Sequence, residues 1–256
     1  MVKIKVGILG ATGMVGQRFI TLLENHPWFE VACIAASPSS AGKTYEQAVK
    51  GRWKMQTEVP DSTGRLIVKR VEEDIDEICK EVDFVFSALE MDKQKIKKIE
   101  EAYASRGIPV VSNNSAHRWT EDVPMIIPEI NPEHVKLIDI QRKNRSWKKG
   151  FIAVKPNCSI QSYVPIIKAL DKYNPKKVLV TTLQAVSGAG RALANWPEME
   201  ENVIPFIKNE EEKSEKEPLK ILGRISNGKL KLAKVPDISA TCIRVPVEDG
   251  HLASVE

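Results

Sequence analysis

No two of the four cysteines, at 33, 79, 158 and 242, stand at CxxC spacing. The four histidines, at 26, 117, 134 and 251, form no pair at the helical spacing of metal ligands. A zinc site or dithiol redox centre built on a local motif is therefore excluded. No uncharged apolar run approaches the ~20 residues of a membrane span. Met1 leads straight into a Lys/Ile alternation without a leader pattern, so the expected location is cytoplasmic. Charge of one sign is also scarce. Lys plus Arg number 38 and Asp plus Glu 34, a net charge of +4 that is too weak to imply nucleic acid but suits a site for phosphates. What remains is an ordinary globular composition, 42% hydrophobic and 28% charged over 256 residues. At roughly 100–200 residues per domain, that is one large domain or two modest ones.

The N-terminal part alternates strands and helices. Lys3–Ile8 predicts a strand, and Val15, Phe19, Leu22 and Leu23 recur at helical spacing until His26-Pro27. Strands are predicted at Phe29–Ala36, Val82–Leu89 and Ile108–Ser112, with an exposed Lys/Glu-rich helix over Asp92–Ser105. This βαβ pattern predicts a parallel α/β sheet in a Rossmann-type domain over residues 1–150. Beyond it the texture changes. Strands at 178–187, 229–234, 238–247 and 251–255 predict an α+β catalytic domain with a mixed or antiparallel sheet over residues 151–256. On charge pattern alone, the acidic run Glu210–Glu217 is a solvated helix face.

The first turn, Gly10-Ala11-Thr12-Gly13-Met14-Val15-Gly16, is GxxGxxG. Glycines allow a tight turn and close approach of a pyrophosphate, and the helix that follows favours the anion. The turn follows a strand and opens a helix, the context that dinucleotide binding requires. NAD sites usually place a carboxylate at the end of the second strand, about 20 residues on. Here Ser37, Ser39, Ser40 and Lys43 stand instead. Hydroxyls and a lysine suit a 2′-phosphate, so NADP is expected over NAD.

Cys158 lies between the strand Phe151–Val154 and an apolar segment running to Leu170. That places it at or near a helix N-terminus, where the thiolate is favoured. Pro165 predicts a restart or kink in that helix. Cys33, Cys79 and Cys242 sit in apolar stretches and are expected as core fillers. Most of the histidines are expected at the surface or in caps. His251, which ends a turn at the mouth of a strand with Arg244 close behind, is the candidate partner of Cys158.

Taken together, the stretches VGILGATGMVGQRF, AASPSSAGKTY, DFVFSAL, VSNNSAHR, PNCS, TTLQAVSGAGR, IPFIKNEEEK and IRVPVEDGH resemble the aspartate-semialdehyde dehydrogenases of archaea and fungi. They span nearly the whole chain. The resemblance implies Cys158 as nucleophile, His251 as acid/base catalyst, Gln184 as substrate-orienting and Asn157 beside the reacting carbonyl. It implies Arg244 for the substrate carboxylate, Arg118 and Lys213 for phosphate, and Glu210 for the substrate amine, which turns part of the acidic run into the site. Gly10, Thr12, Gly13, Met14, Val15 and Gly16 would serve the pyrophosphate, and Ser37–Ser40 the 2′-phosphate. Ser87, Ser187 and Gly188 complete the implied cofactor contacts. The implied reaction is NADP-dependent, phosphorylating oxidation of L-aspartate 4-semialdehyde through a cysteine thioester. In reverse it serves lysine, threonine and methionine biosynthesis. The implied partners are inorganic phosphate and a second copy of the chain, as homodimer or homotetramer.

Two positions depart from the family pattern. Asn114 stands where an alanine is usual, and Arg191 where an aromatic residue is frequent. Two other readings remain open: malonyl-CoA reductase, with the same thioester chemistry, and an inactive fragment that only binds nucleotide. The family pattern continues well beyond RVPxxxGH, so the sequence is expected to be C-terminally incomplete.

Overall fold

The computed structural model describes residues 2–256. They form two units. The first contains the chain up to Pro124 together with Ile138–Lys155; the second contains Met125–Leu137 and Pro156–Glu256.

The first unit is built on six strands: β1 (Ile4–Leu9), β2 (Phe29–Ala36), β3 (Lys69–Arg70), β4 (Phe84–Ser87), β5 (Val110–Ser112) and β6 (Ile152–Val154). All pair in parallel, in the order β3-β2-β1-β4-β5-β6. This is the doubly wound arrangement, whose strand order reverses between β1 and β4. Its helices are α1 (Met14–Leu23), α2 (Tyr45–Val49), α3 (Asp61–Gly64), α4 (Ile75–Glu81), α5 (Lys93–Ser105) and α6 (Leu137–Arg145). Val6, Ile8, Ile20, Ile34 and Tyr45 form its core. The helix expected over Asp92–Ser105 forms, with Asp92 as N-cap accepting from the Gln94 and Lys95 amides. It is amphipathic rather than merely exposed, burying Ile96, Ile99, Glu100 and Tyr103.

The second unit contains α7 (Val164–Ala169), β7 (Lys177–Gln184), α8 (Glu210–Ile221), β8 (Arg224–Ser226), β9 (Lys229–Lys231), β10 (Asp237–Arg244) and β11 (His251–Val255). β7 is central in a mixed three-stranded sheet, parallel to β10 and antiparallel to β11. Its alternation is regular: Val178, Val180, Thr182 and Gln184 point inward while Leu179 points out. β8 and β9 form a separate hairpin across Asn227-Gly228, both at positive φ, the residue pair that a tight hairpin turn prefers.

The expected division at residue 150 differs from what is seen. Ile152–Val154 belongs to the first unit because it pairs in parallel with β5 as the sixth strand of that sheet. The chain enters β6 through Gly150, whose backbone presses on the end of α5. A Cβ there would fall 1.9 Å from the Ala104 carbonyl oxygen. Backbone cannot retreat as a side chain can, so Gly150→Ala is expected to cost about 3 kcal/mol. Urea unfolding followed by circular dichroism measures this.

Candidate active site

In the first unit, the turn after β1 runs into α1 with Gly13 as N-cap and no acidic residue in the first helical turn. A Cβ on Gly10 would meet the Ala88 carbonyl oxygen at 2.4 Å, and one on Gly16 would meet the Gly10 oxygen at 2.3 Å. Gly10 also has φ +83. These two glycines allow the turn to lie against β4 and the helix to pack on the turn. Gly13 has only the Gly10 oxygen near it, at 3.6 Å, so the outer side of the turn, with Thr12, Met14 and Val15, stays open. The leading amides of α1 have no acceptors within the helix. The cradle fits a pyrophosphate.

After β2, the exposed Ser37 and Ser39 hydroxyls lie 3.0 Å apart, and Lys43 Nζ donates to the Ser39 carbonyl at 3.2 Å. No carboxylate stands in this Ser37–Lys43 turn. Ser40 differs from expectation. It is buried, and its hydroxyl accepts from Arg52 Nη2 at 3.2 Å, so it braces the turn rather than facing out. Ser87 is also buried, its hydroxyl accepting from Asn114 Nδ2 at 2.9 Å. Asn114 donates to Glu100 Oε1 as well, at 3.0 Å, which gives this departure from the family pattern a structural role. Burial pushes the Glu100 carboxyl above its usual range. Arg118 belongs to this unit too. It is buried, donating to the Lys155 carbonyl at 3.1 Å and more weakly to that of Asn113.

In the second unit, strand register assembles the site. Gln184 on β7 pairs with Arg244 on β10 and with His251 on β11. The three side chains thus occupy one rung of the sheet, on one face. Cys158 comes to them from a different element. Its Sγ lies 3.3 Å from His251 Nε2. On the far side of the ring, Ala185 N lies 3.2 Å from His251 Nδ1, and a hydrogen bond with the Gly250 backbone favours the protonated ring. The Cys158 contact holds the His251 pKa above the usual imidazole value, against burial and the Arg244 charge. Arg244 is buried and gives Nη1 to the Ala185 carbonyl at 2.6 Å.

Cys158 opens a four-residue 3-10 turn, Ser159–Ser162, and the α-helix restarts at Val164 with Pro165 in its first turn. A turn this short has little dipole to offer, so His251 is the stronger influence on the thiol. Both polar ends of the Asn157 side chain are engaged within the second unit. Its Nδ2 donates to Glu210 Oε2 at 2.8 Å, and its Oδ1 accepts from the amide and hydroxyl of Ser159. Glu210 also accepts from Lys213. Burial raises the Glu210 pKa, but Lys213, Asn157 and Gln184 outweigh it and hold the carboxylate below its usual range.

The pattern described as "Semialdehyde dehydrogenase, NAD binding domain" matches residues 5–138, and "Semialdehyde dehydrogenase, dimerisation domain" matches 164–256. Aspartate-semialdehyde dehydrogenase of Archaeoglobus fulgidus is 45% identical over 254 residues, covering 99% of this chain and 71% of the relative. The chain belongs to the aspartate-semialdehyde dehydrogenase family. The enzyme of Methanothermobacter thermautotrophicus is also 45% identical, over 98% of this chain and 70% of its own length. A crystal structure of the family from Candida albicans, solved with NADP, superposes with a TM-score of 0.86 at 36% identity, covering all of this chain and 71% of that one.

Of the residues expected at the catalytic site, Cys158, His251, Gln184, Arg244, Asn157, Glu210 and Lys213 fall together in the second unit. Ser187 and Gly188 lie there also, in the 3-10 turn Val186–Ala189. Arg191, the other departure, stacks its guanidinium over Trp196 at 4.5 Å. The histidine expectation needs correction: His117 and His134 are buried, and burial holds both below the usual imidazole pKa, His117 at about 4. Sequence reasoning missed Glu217, which accepts the Asn157 amide, and Tyr163, which binds the Ser214 carbonyl. The signal available was spacing: Glu210, Ser214 and Glu217 share one helical face.

Two outcomes follow from this geometry. A Cβ on Gly188 would sit 2.8 Å from Arg244 Nη1 and 3.0 Å from His251 Cε1. Gly188→Ala is expected to displace both and to lower kcat/KM by about 100-fold, read by steady-state kinetics. The Sγ contact is the main cause of the raised His251 pKa. Below that raised value the ring is charged and the contact stabilises the fold; as the pH rises through it, that contribution is lost. In Cys158→Ser the pKa is expected to fall towards ~6.5, measured by NMR titration of the imidazole.

Proposed function

We propose that the protein catalyses NADP-dependent, phosphorylating oxidation of L-aspartate 4-semialdehyde to 4-phospho-L-aspartate, and the reverse reduction in biosynthesis. The observation that carries this reading is the 3.3 Å contact between Cys158 Sγ and His251 Nε2 beside the Gln184–Arg244 rung. The glycine cradle of the first unit, and a β2 end that offers Ser37, Ser39 and Lys43 without a carboxylate, support NADP as the cofactor. When bound, NADP accepts a hydride from the substrate carbon. The NADP complex of the Candida albicans relative agrees with this choice.

The chain's own residues divide the remaining work. His251 takes the proton of the Cys158 thiol, the thiolate forms a C–S bond to the aldehyde carbon, and the imidazolium returns that proton to the carbonyl oxygen. His251 recovers that proton as the hemithioacetal becomes a thioester. A phosphate oxygen then bonds to the acyl carbon and the C–S bond breaks, which regenerates the thiolate and releases the acyl phosphate. Arg244, with one donor committed to the Ala185 carbonyl, keeps further N–H groups for the substrate carboxylate. Glu210 is held ionised, which suits a substrate amine and gives malonyl-CoA, which has none, no partner. Lys213, paired with Glu210, is assigned to phosphate. Lysine, threonine and methionine biosynthesis are the pathways that such an activity serves.

A second copy of the chain is part of the proposal. The outer face of the mixed sheet carries exposed Leu179, Thr241, Leu252 and Ser254, with the charges Lys177 and Asp237 opposite one another only at its end. Such a face suits pairing with its own copy. Among the described residues no helix is long and apolar enough to cross a membrane, which agrees with a cytoplasmic site.

The test follows NADPH absorbance with purified protein. Aspartate semialdehyde plus phosphate is expected to give turnover, and Cys158→Ala is expected to abolish it while leaving NADP binding intact. Turnover with malonyl-CoA and none with aspartate semialdehyde would overturn the proposal.

A further inference from the structure

The acidic helix α8 is divided among several tasks. Glu212 pairs with Lys216 on the solvent side at 2.8 Å. Glu211 and Glu215 accept the Cys242 and Ala240 amides, at 3.3 and 3.2 Å, and so occupy the outer edge of β10. Glu210, Ser214 and Glu217 form a third, buried face. This face meets the turn that carries Cys158. Glu217 Oε2 accepts the Asn157 amide at 2.7 Å, and Glu210 Oε2 accepts from the Asn157 side chain.

Pro218 adds a further link. It lies inside α8 and has no N–H to give the Ser214 carbonyl four residues back. The hydroxyl of the fully buried Tyr163, just past the Cys158 turn, donates to that carbonyl at 2.7 Å. One helix therefore holds both β10, which bears Arg244, and the turn that bears the nucleophile.

We infer that Glu217 is a positioning residue for Cys158. Its buried carboxylate fixes the Asn157 amide, and the next residue's sulfur is thereby held against His251 Nε2. The inference rests on the reading of Cys158 as nucleophile. Glu217 touches neither partner of the Sγ–Nε2 contact through any hydrogen bond described above; it acts through the backbone of Asn157. A backbone anchor one residue from a nucleophile matters because a misplacement of about 1 Å costs on the order of 100-fold in rate.

Two readouts test this: steady-state kinetics and NMR titration of His251, the latter without substrate. Glu217→Ala is expected to lower kcat about 100-fold with KM for the aldehyde unchanged. It is also expected to let the His251 pKa fall as it does in Cys158→Ser, because the sulfur contact is what raises it. Arg244, the other charge facing His251, remains in place as a constant background. Glu217→Gln keeps an acceptor oxygen at the same chain length and is expected to restore most of both. A Glu217→Ala protein that keeps the wild-type His251 pKa, and loses rate only in proportion to its unfolded fraction, overturns the inference. Should Glu217→Ala not fold, Glu217→Asp carries the test. It keeps the charge but draws the oxygens back by one methylene, so wild-type kcat and His251 pKa in that variant would equally overturn it. Absence of turnover in the wild-type protein would refute the function proposed above, while the titration would still decide the role of Glu217.

Discussion

Register across a three-stranded sheet is the constraint on which the catalytic unit depends. Because β10 pairs with one side of β7 and β11 with the other, Arg244, Gln184 and His251 come opposite one another. Side chains on one rung share a face. A one-residue slip of either outer strand would send its functional side chain to the opposite face. The rung thus couples a guanidinium, an amide and an imidazole at separations set by backbone hydrogen bonds. Gly188 then lies so close over Arg244 and His251 that its lack of a side chain is what permits the packing.

Cys158 is not on that sheet, so something must fix its distance from the rung. Helix α8 does so by binding β10 along one face and the Cys158 turn along another. Most of its glutamates bond to backbone or buried side-chain donors. Buried carboxylates require such partners, since an unpaired charge out of water is very costly. The same requirement makes the helix a specific connector: each glutamate is satisfied only when its own donor is in place.

The first unit uses a different device. Its strands supply few functional side chains, and the cradle after β1 is shaped by what is missing. Gly10 and Gly16 approach neighbouring carbonyl oxygens more closely than any Cβ allows. The space on the outer side of the turn and the leading amides of α1 are the result. Around it, Ser40, Ser87, Asn114 and Arg52 hold the loops through hydrogen bonds, with both serines turned inward.

Much of this was legible in the primary structure. Period-two and continuous apolar runs marked the strands, glycine spacing marked the cradle, and Cys158 and His251, with Arg244 close behind, stood out by local context, while Gln184 came only with the family resemblance. Those signals are local, and local chemistry determines them. The acidic run was less legible, because charge pattern alone suggests a solvated face while only Glu212 and Lys216 behave that way as a pair. Nor could residue spacing reveal that β6 closes the first sheet, that Ser40 turns inward, or that His117 and His134 are buried. Sequence by itself determined which residue types were available and where most strands and turns lie. Only tertiary structure decided which glutamate meets which amide and which strand pairs with which, because those choices depend on hydrogen-bond partners brought together from distant parts of the chain.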